Sequence, residues 1–368
     1  MSKPVRVLQV VPNMQAGGLE TLIMNLYRNI DRSKIQFDFL VHYKGKYFYD
    51  DEIKKLGGRI YHLSVRDDNN FIKYLNDLDH FFKTHREYKV VHGHMMSTAI
   101  FYMYYAKKYG VKIRIVHSHN SDTVPGLKGI VKYRLARLAP MVANNYFACG
   151  KTAGKYLYGD NRKFTILNNG IDLQKFKYNS QIRHEYRDNL GLNGKYVIGH
   201  IGRFNIQKNH KFLIKVFYDF QKEVPNSVLL LIGDGELKME IQKEVQDLGL
   251  EDKVRFMGVR KDTQNLYQAM DLFLLPSFFE GFPVVAVEAQ DAGLPILASS
   301  NVTKEIELTP LVRFQDLQES TKEWVKAIKN MPKLLRKDHV TELENAGFNI
   351  KQEAQQLAKF YEQAYEEK

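Results

Sequence analysis

Short apolar, β-branched runs alternate along this chain with longer stretches whose apolar positions fall three and four residues apart. The first pattern suits buried strands and the second suits helices with one covered face. In the first half the strand-like runs are Val5–Val11, Phe37–Val41, Arg59–Leu63, Val90–His92, Ile113–His117, Asn145–Ala148 and Phe164–Leu167. A second series comprises Val197–Ile201, Val228–Ile232, Val254–Phe256, Leu272–Leu275, Ile296–Ala298 and Val312–Phe314. Helical patterns lie between them, for example Lys211–Glu223 and Leu237–Leu248, and a Glu/Gln/Lys-rich helix over Ile350–Glu366 closes the chain. Such alternation predicts an α/β protein with two successive Rossmann-like, doubly wound parallel sheets. The Asn168-Asn169-Gly170-Ile171-Asp172 segment interrupts the pattern, and Asn-Gly favours a turn with positive φ. Residues 1–175 are therefore expected to form the N-terminal domain and 176–348 the C-terminal one. Residues 349–368 form a last helix able to pack back on the first domain. Ligands of such sheets bind at the carboxyl ends of the strands, so a central cleft faced by both sheets is the expected site.

A length of 368 residues suits two domains, each with its own core. The single cysteine, Cys149, ends an apolar run and excludes an intrachain disulfide or a thiolate cluster. It reads as a buried structural thiol and fits a reducing cytoplasm. No secretory leader pattern opens the chain, and nowhere do 18 apolar residues run together.

Charge changes the picture more than composition does. The formal net charge is +12, and residues 1–175 hold 28 basic against 14 acidic side chains, whereas the remainder holds 26 against 28. Residues 101–163 alone carry 12 basic and 2 acidic residues, which points to an anionic partner: membrane lipid, nucleic acid or a phosphorylated substrate. Within that segment Gly126–Leu138 reads as an amphipathic helix. Its stripe of Leu127, Val131, Leu135 and Leu138 is flanked by Lys128, Lys132, Arg134 and Arg137. The layout fits an interfacial helix on an anionic membrane, and equally a core-facing helix with a basic edge. Phe101-Tyr102-Met103-Tyr104-Tyr105, followed by Lys107-Lys108, adds aromatic and basic candidates for the same surface.

Three motifs carry chemistry. After the first strand, Gly17-Gly18 lets backbone approach a ligand at the positive end of the following helix. Its spacing is not Gly-x-Gly-x-x-Gly, so the dinucleotide fingerprint fails. In Gly199-His200-Ile201-Gly202-Arg203-Phe204-Asn205-Ile206-Gln207-Lys208, two cations gather where the helix dipole disfavours them, and a diphosphate between them would reverse that penalty. In Phe279-Glu280-Gly281-Phe282-Pro283-Val284-Val285-Ala286-Val287-Glu288-Ala289, a carboxylate precedes a helix expected to start near Pro283 and another lies in its apolar first turns. Sugar hydroxyls are natural partners for both acids; a cap at Glu280 and an ion pair at Glu288 are the structural alternative.

Taken in order, these motifs resemble the retaining family 4 glycosyltransferases, whose GT-B fold faces two Rossmann-like domains across a cleft. Further matching elements are Asn169-Gly170-Ile171-Asp172, Gly233-Asp234-Gly235-Glu236 and Val254-Arg255-Phe256-Met257-Gly258. The resemblance covers essentially the whole chain and is most specific from Tyr196 to Ala298. It implies that Arg203 and Lys208 hold the donor diphosphate beside Gly202, that Glu288 accepts from the ribose hydroxyls, and that Glu280, with Gly281 and Phe282, faces the donor sugar. It places Val259 and Arg260 against the base and the Gly17-Gly18 amides near the diphosphate or sugar. A histidine is usual at the end of the strand Ile113–His117; of His117 and His119, alignment with the family pattern favours His119. His92, His94, His117 and Asn120 are candidates for the acceptor side.

Four histidines on adjacent strand ends raise the question of a metal, but no carboxylate triad accompanies them and the family needs no metal for transfer. No cofactor is expected beyond the co-substrate, a nucleotide-diphosphate sugar, with uracil the default base. The resemblance implies front-face transfer to a glycan or lipid-linked acceptor in exopolysaccharide or capsule assembly; the basic segment adds the expectation of peripheral binding at the inner face of the cytoplasmic membrane. A nucleotide-sugar 2-epimerase on the same fold is the nearest alternative. A nucleic-acid binder has only charge in its favour, and no nucleic-acid partner is expected.

Overall fold

The computed structural model describes residues 4–64, 67–68, 70–120, 126–332 and 334–366. Two compact units emerge: one runs to Gly170 and resumes at Ile350, and the other is Ile171–Asn349. The first unit holds a parallel sheet of β1 (Val5–Val11), β2 (Ile35–Val41), β3 (Ile60–His62), β4 (Val90–Gly93), β5 (Ile113–Ser118), β6 (Asn145–Ala148) and β7 (Thr165–Ile166), in the order β3-β2-β1-β4-β5-β6-β7. The second holds β8 (Tyr196–Ile201), β9 (Ser227–Ile232), β10 (Val254–Gly258), β11 (Leu272–Leu275), β12 (Ile296–Ser299) and β13 (Val312–Gln315), in the order β10-β9-β8-β11-β12-β13. Both are doubly wound sheets whose strand order reverses once, between β1 and β4 and between β8 and β11. The crevice at such a reversal is where ligands enter this architecture.

Every strand predicted from the sequence is present, with ends that move by a residue or two. Sheets with both faces covered need apolar side chains on both, and the sequence shows these as continuous runs. One face of the first sheet packs Val7, Val11, Phe37, Phe39, Ile113, Ile115 and Phe147 under the helices Gly18–Asn29 and Ile350–Glu366. The other packs Leu8, Val10, Val91 and Val116 with Leu78, Phe82, Tyr102 and Met103.

The domain limits differ from expectation at both ends. Asp172 caps the helix Leu173–Phe176, accepting from the Gln174 amide at 3.1 Å, and Ile171 pairs with Asn349, so both residues belong to the second unit. The expected positive φ at Asn-Gly is absent: neither Asn169 nor Gly170 has it. Gly170 is small for another reason, since a Cβ there would lie 3.1 Å from the Ile350 backbone. The last helix buries Ile350, Ala354, Leu357 and Tyr361 in the first unit's core. Full burial of a large apolar side chain stabilises by roughly 1.5–3 kcal/mol, enough to hold the helix there. Glu353 joins the two segments by accepting from the Asn168 amide at 3.0 Å, and burial pushes its carboxyl up to about 7.

Candidate functional site

In the second unit the site begins where β8 ends. Gly233 and Gly235 have φ values of +137° and +159°. A Cβ on Gly233 would lie 2.1 Å from the Gly202 carbonyl, and one on Gly235 would lie 2.5 Å from that of Phe204. Only glycine permits this backbone-to-backbone contact, which fixes the course of the loop from Gly202 onward. The loop then makes a 3-10 turn, Ile206–Lys208, capped by the Asn205 side chain. Asn209 follows in the left-handed conformation at φ 55°, its side chain donating to the Pro276 carbonyl at 3.2 Å.

This turn carries Lys208 to Glu280. Their charged atoms are 2.5 Å apart, and the side chains are 15% and 7% exposed. Gln207 closes the group: its amide donates to the second Glu280 oxygen at 3.2 Å and to the Phe279 carbonyl at 2.9 Å, while its backbone carbonyl accepts from Phe278 N at 2.9 Å. The loops after β8 and β11, either side of the strand-order reversal, are thereby tied into one polar cluster. A buried lysine–carboxylate pair of this kind can share its cation with an incoming anion without first drawing it from water.

Glu288 lies half-buried on the helix Val284–Asp291, which follows Pro283 as expected. Tyr267 donates to one of its oxygens at 2.7 Å. Burial is the larger effect and pushes the Glu288 carboxyl up to about 7, with Tyr267 and Lys175 opposing it. The structural alternative is thus inverted: the ion pair is at Glu280 and the hydrogen-bonded carboxyl at Glu288.

The two donor-side arginines have other partners. Arg203 is exposed and pairs with Glu236 at 3.3 Å. Arg260 forms a fork with Asp262 at 2.8 and 2.6 Å, and Val259 is exposed beside it. The Phe282 ring is buried and stacks on Phe348 with centroids 5.1 Å apart. Gly281 is buried next to it.

In the first unit, Gly17 caps the helix Gly18–Asn29. A Cβ on Gly17 would lie 2.3 Å from a Glu20 carboxylate oxygen, whereas Gly18 has open space. The Glu20 carboxylate therefore lies over the positive end of the helix.

The histidines gather on one sheet face because β1, β4 and β5 are in register, with Gln9 opposite His92 and His92 opposite Ile115. Alternation along each strand puts His94 and His117 on that same face. His92 Nδ1 is 2.6 Å from the Tyr361 hydroxyl and its Nε2 is 3.1 Å from His117 Nδ1. His94 Nε2 is 2.9 Å from Gln9 Oε1 and its Nδ1 is 2.9 Å from His119 Nε2. Burial holds all four imidazoles below the usual range, His92 and His119 at about 3. His92 and His117 are fully buried, so neither lines an acceptor surface as expected; His119 is half-buried and Asn120 exposed. Nitrogens of His92, His94 and His117 lie within 4.8 Å of one another, but His92 Nε2 is bonded to His117, and the His94 nitrogens are bonded to Gln9 and His119.

The basic segment is described except for 121–125, which lie outside the described residues. The helix Leu127–Leu138 turns Gly129 and Ala136 inward and leaves Leu127, Ile130, Val131 and Leu138 exposed among its cations. Upstream, Tyr104 is exposed, but Tyr102 and Met103 are buried in the core and Lys108 pairs with Asp79 at 2.6 Å, which corrects the expectation for that run. No helix among the described residues is long and apolar enough to cross a membrane. Cys149 is buried.

Comparison with known proteins agrees with this fold. The family described as glycosyl transferases group 1 matches residues 182–307, and glycosyltransferase family 4 matches residues 16–175. A putative glycosyltransferase, EpsF of Bacillus subtilis, is 35% identical over 336 residues, which cover 89% of this chain and 88% of EpsF. The chain belongs to the family 4 glycosyltransferases. A UDP-Gal:alpha-D-GlcNAc-diphosphoundecaprenol alpha-1,3-galactosyltransferase of Escherichia coli is 29% identical to this glycosyltransferase over 225 residues, 58% of each chain. Among solved structures, HepE of Anabaena in complex with UDP-glucose superposes with a TM-score of 0.79 at 19% identity, covering 97% of this chain and 99% of HepE. The likeness establishes the GT-B fold of this glycosyltransferase.

Sequence reasoning missed Gln207, Tyr267, Gln9 and Tyr361. Gln207 stood inside a quoted motif, where only its neighbours' charges drew attention. The others gain significance through residues that fold beside them, such as Tyr267 beside Glu288.

Proposed function

We propose that this enzyme transfers a sugar, with retention of configuration, from a UDP-sugar to a glycan or lipid-linked acceptor in surface polysaccharide assembly. The observation that carries the reading is the Gln207–Lys208–Glu280 cluster at the strand-order reversal of the second sheet. The relatives EpsF and the Escherichia coli galactosyltransferase, and the UDP-glucose complex of HepE, support it.

On this reading the second unit is the donor side and the first the acceptor side. Lys208 shares its charge between Glu280 and the diphosphate, and Arg203 leaves its exposed partner Glu236 to take phosphate oxygens. Both stabilise the charge that develops as the glycosidic bond breaks. Glu280 and Gln207 orient the sugar, Glu288 accepts from the ribose, and Val259 and Arg260 flank the base. The leaving diphosphate deprotonates the acceptor on the same face of an oxocarbenium-like sugar, with no metal required. His119 and the Gly17-Gly18 amides position the transferred sugar. The exposed apolar and basic face of Leu127–Leu138 holds the enzyme to the inner leaflet of the cytoplasmic membrane.

A thermal-shift and hydrolysis screen of UDP-, GDP- and ADP-sugars, run with and without chelator, tests the donor and the metal. Stabilisation and slow hydrolysis with UDP-sugars alone, unchanged by chelator, is the expected result; preference for another nucleotide refutes the donor assignment. The anomeric configuration of the product, read by NMR, tests retention.

A further inference from the structure

Four imidazoles, one amide and one phenol form a connected network in the first unit, and one member has fixed polarity. The amide of Gln9 can only accept at Oε1 and only donate at Nε2. A neutral imidazole has one donor and one acceptor, so each bond dictates the next. Burial keeps all four imidazoles neutral at neutral pH.

From Gln9 the network runs two ways. Gln9 Oε1 accepts from His94 Nε2 at 2.9 Å, so His94 carries its proton there and offers a lone pair at Nδ1. That lone pair faces His119 Nε2 at 2.9 Å, which must then hold the His119 proton. His119 is left with an unprotonated Nδ1. In the other direction, Gln9 Nε2 lies 3.5 Å from the Tyr361 hydroxyl, whose own hydrogen goes to His92 Nδ1 at 2.6 Å. His92 Nε2 then donates to His117 Nδ1 at 3.1 Å. The branch ends at His117 Nε2, which is buried with no partner among the described residues. The second branch stops inside the core; the first reaches a half-buried side chain.

We propose that Gln9 is a positioning residue that sets the tautomer of His119 through His94, so that His119 presents Nδ1 as a hydrogen-bond acceptor for a sugar hydroxyl. The inference rests on the reading that His119 faces the transferred sugar. Had the amide the opposite orientation, every proton in the first branch would move and His119 would present an N–H instead. One fully buried amide, 1% exposed, thus decides whether the site recognises a hydroxyl as donor or as acceptor.

Long-range proton–nitrogen correlation of the full chain labelled with [15N]histidine, at neutral pH, tests this directly. In the wild type His94 and His119 should each carry the proton on Nε2 alone. Gln9→Met, of matching length and without the amide, should give His119 a mixture of tautomers. It should lower kcat about tenfold while leaving the donor KM within about twofold. Tyr361→Phe should alter His92 and His117 and leave His94 and His119 as they were. A wild-type His119 protonated on Nδ1, an unchanged His119 in Gln9→Met, or a changed one in Tyr361→Phe overturns the proposal. If Gln9→Met does not fold, the wild-type and Tyr361→Phe spectra decide. Full turnover in His119→Ala would remove His119 from the sugar site and leave the tautomer result standing.

Discussion

Replacing Glu288 by Gln should make the protein more stable and the enzyme worse. Burial raises this carboxyl from its usual value near 4.5 to about 7. The folded state therefore holds the proton more tightly than the unfolded chain does. Ionisation costs progressively more stability as pH rises from about 4.5 to about 7, and the cost is constant above that. At 1.36 kcal/mol per pH unit the shift corresponds to about 3 kcal/mol. Gln has the same shape and can still accept from the Tyr267 hydroxyl, now 2.7 Å from a Glu288 oxygen. Glu288→Gln should thus gain about 2 kcal/mol at alkaline pH, or about 4–8 °C in Tm for a unit of this size. The gain should fade toward pH 4.5. Donor binding should move the other way. Losing a charged acceptor costs roughly 1.5–3 kcal/mol, about 10- to 100-fold in Kd for a UDP-sugar. Wild-type affinity should tighten as pH rises through 7, and that of the variant should stay flat. Thermal melts and calorimetric titrations at several pH values read both effects. A variant less stable than wild type at alkaline pH, or one that keeps the wild-type pH profile of binding, would refute the reasoning.

Lys208→Ala and Arg203→Ala should each lower turnover on saturating donor by about 100-fold with the fold intact by circular dichroism; either one at wild-type turnover leaves the mechanism. Gly235→Ala places a Cβ 2.5 Å from the Phe204 carbonyl at φ +159°. It should cost about 3 kcal/mol and weaken UDP binding, whereas an unshifted melt would deny that the glycine holds the loop. Leu127→Glu with Val131→Glu should abolish cosedimentation with anionic vesicles at low salt while preserving donor hydrolysis. Unchanged cosedimentation would mean that this exposed face is not the membrane contact.

The strands were legible because the signal is local. A strand covered on both faces must be apolar on both, and Leu272–Leu275 shows this without reference to the rest of the chain. The motifs at Gly17-Gly18, Gly202 to Lys208 and Glu280 to Glu288 were legible because glycine and buried charge are unusual enough to need a reason. Side-chain direction was less so. Tyr102 and Met103 read as surface aromatic and apolar candidates, yet they turn into the core, and the Phe282 ring packs on Phe348. Helical spacing identified the stripe on Leu127–Leu138 but not which way the helix would face, since an apolar stripe suits a core as well as a membrane.

The sequence by itself determined the fold class, the position of each strand and the glycine- and charge-bearing loops between them, since these follow from the conformational limits and burial needs of neighbouring residues. Only the tertiary structure decided which polar groups complete them. Lys208 meets Glu280 at a distance of 72 residues, Tyr267 meets Glu288 at 21, and Tyr361 meets His92 at 269. No periodicity spans such separations. A buried hydrogen bond depends on where two elements pack, and its partner cannot be read until the chain has returned to supply it.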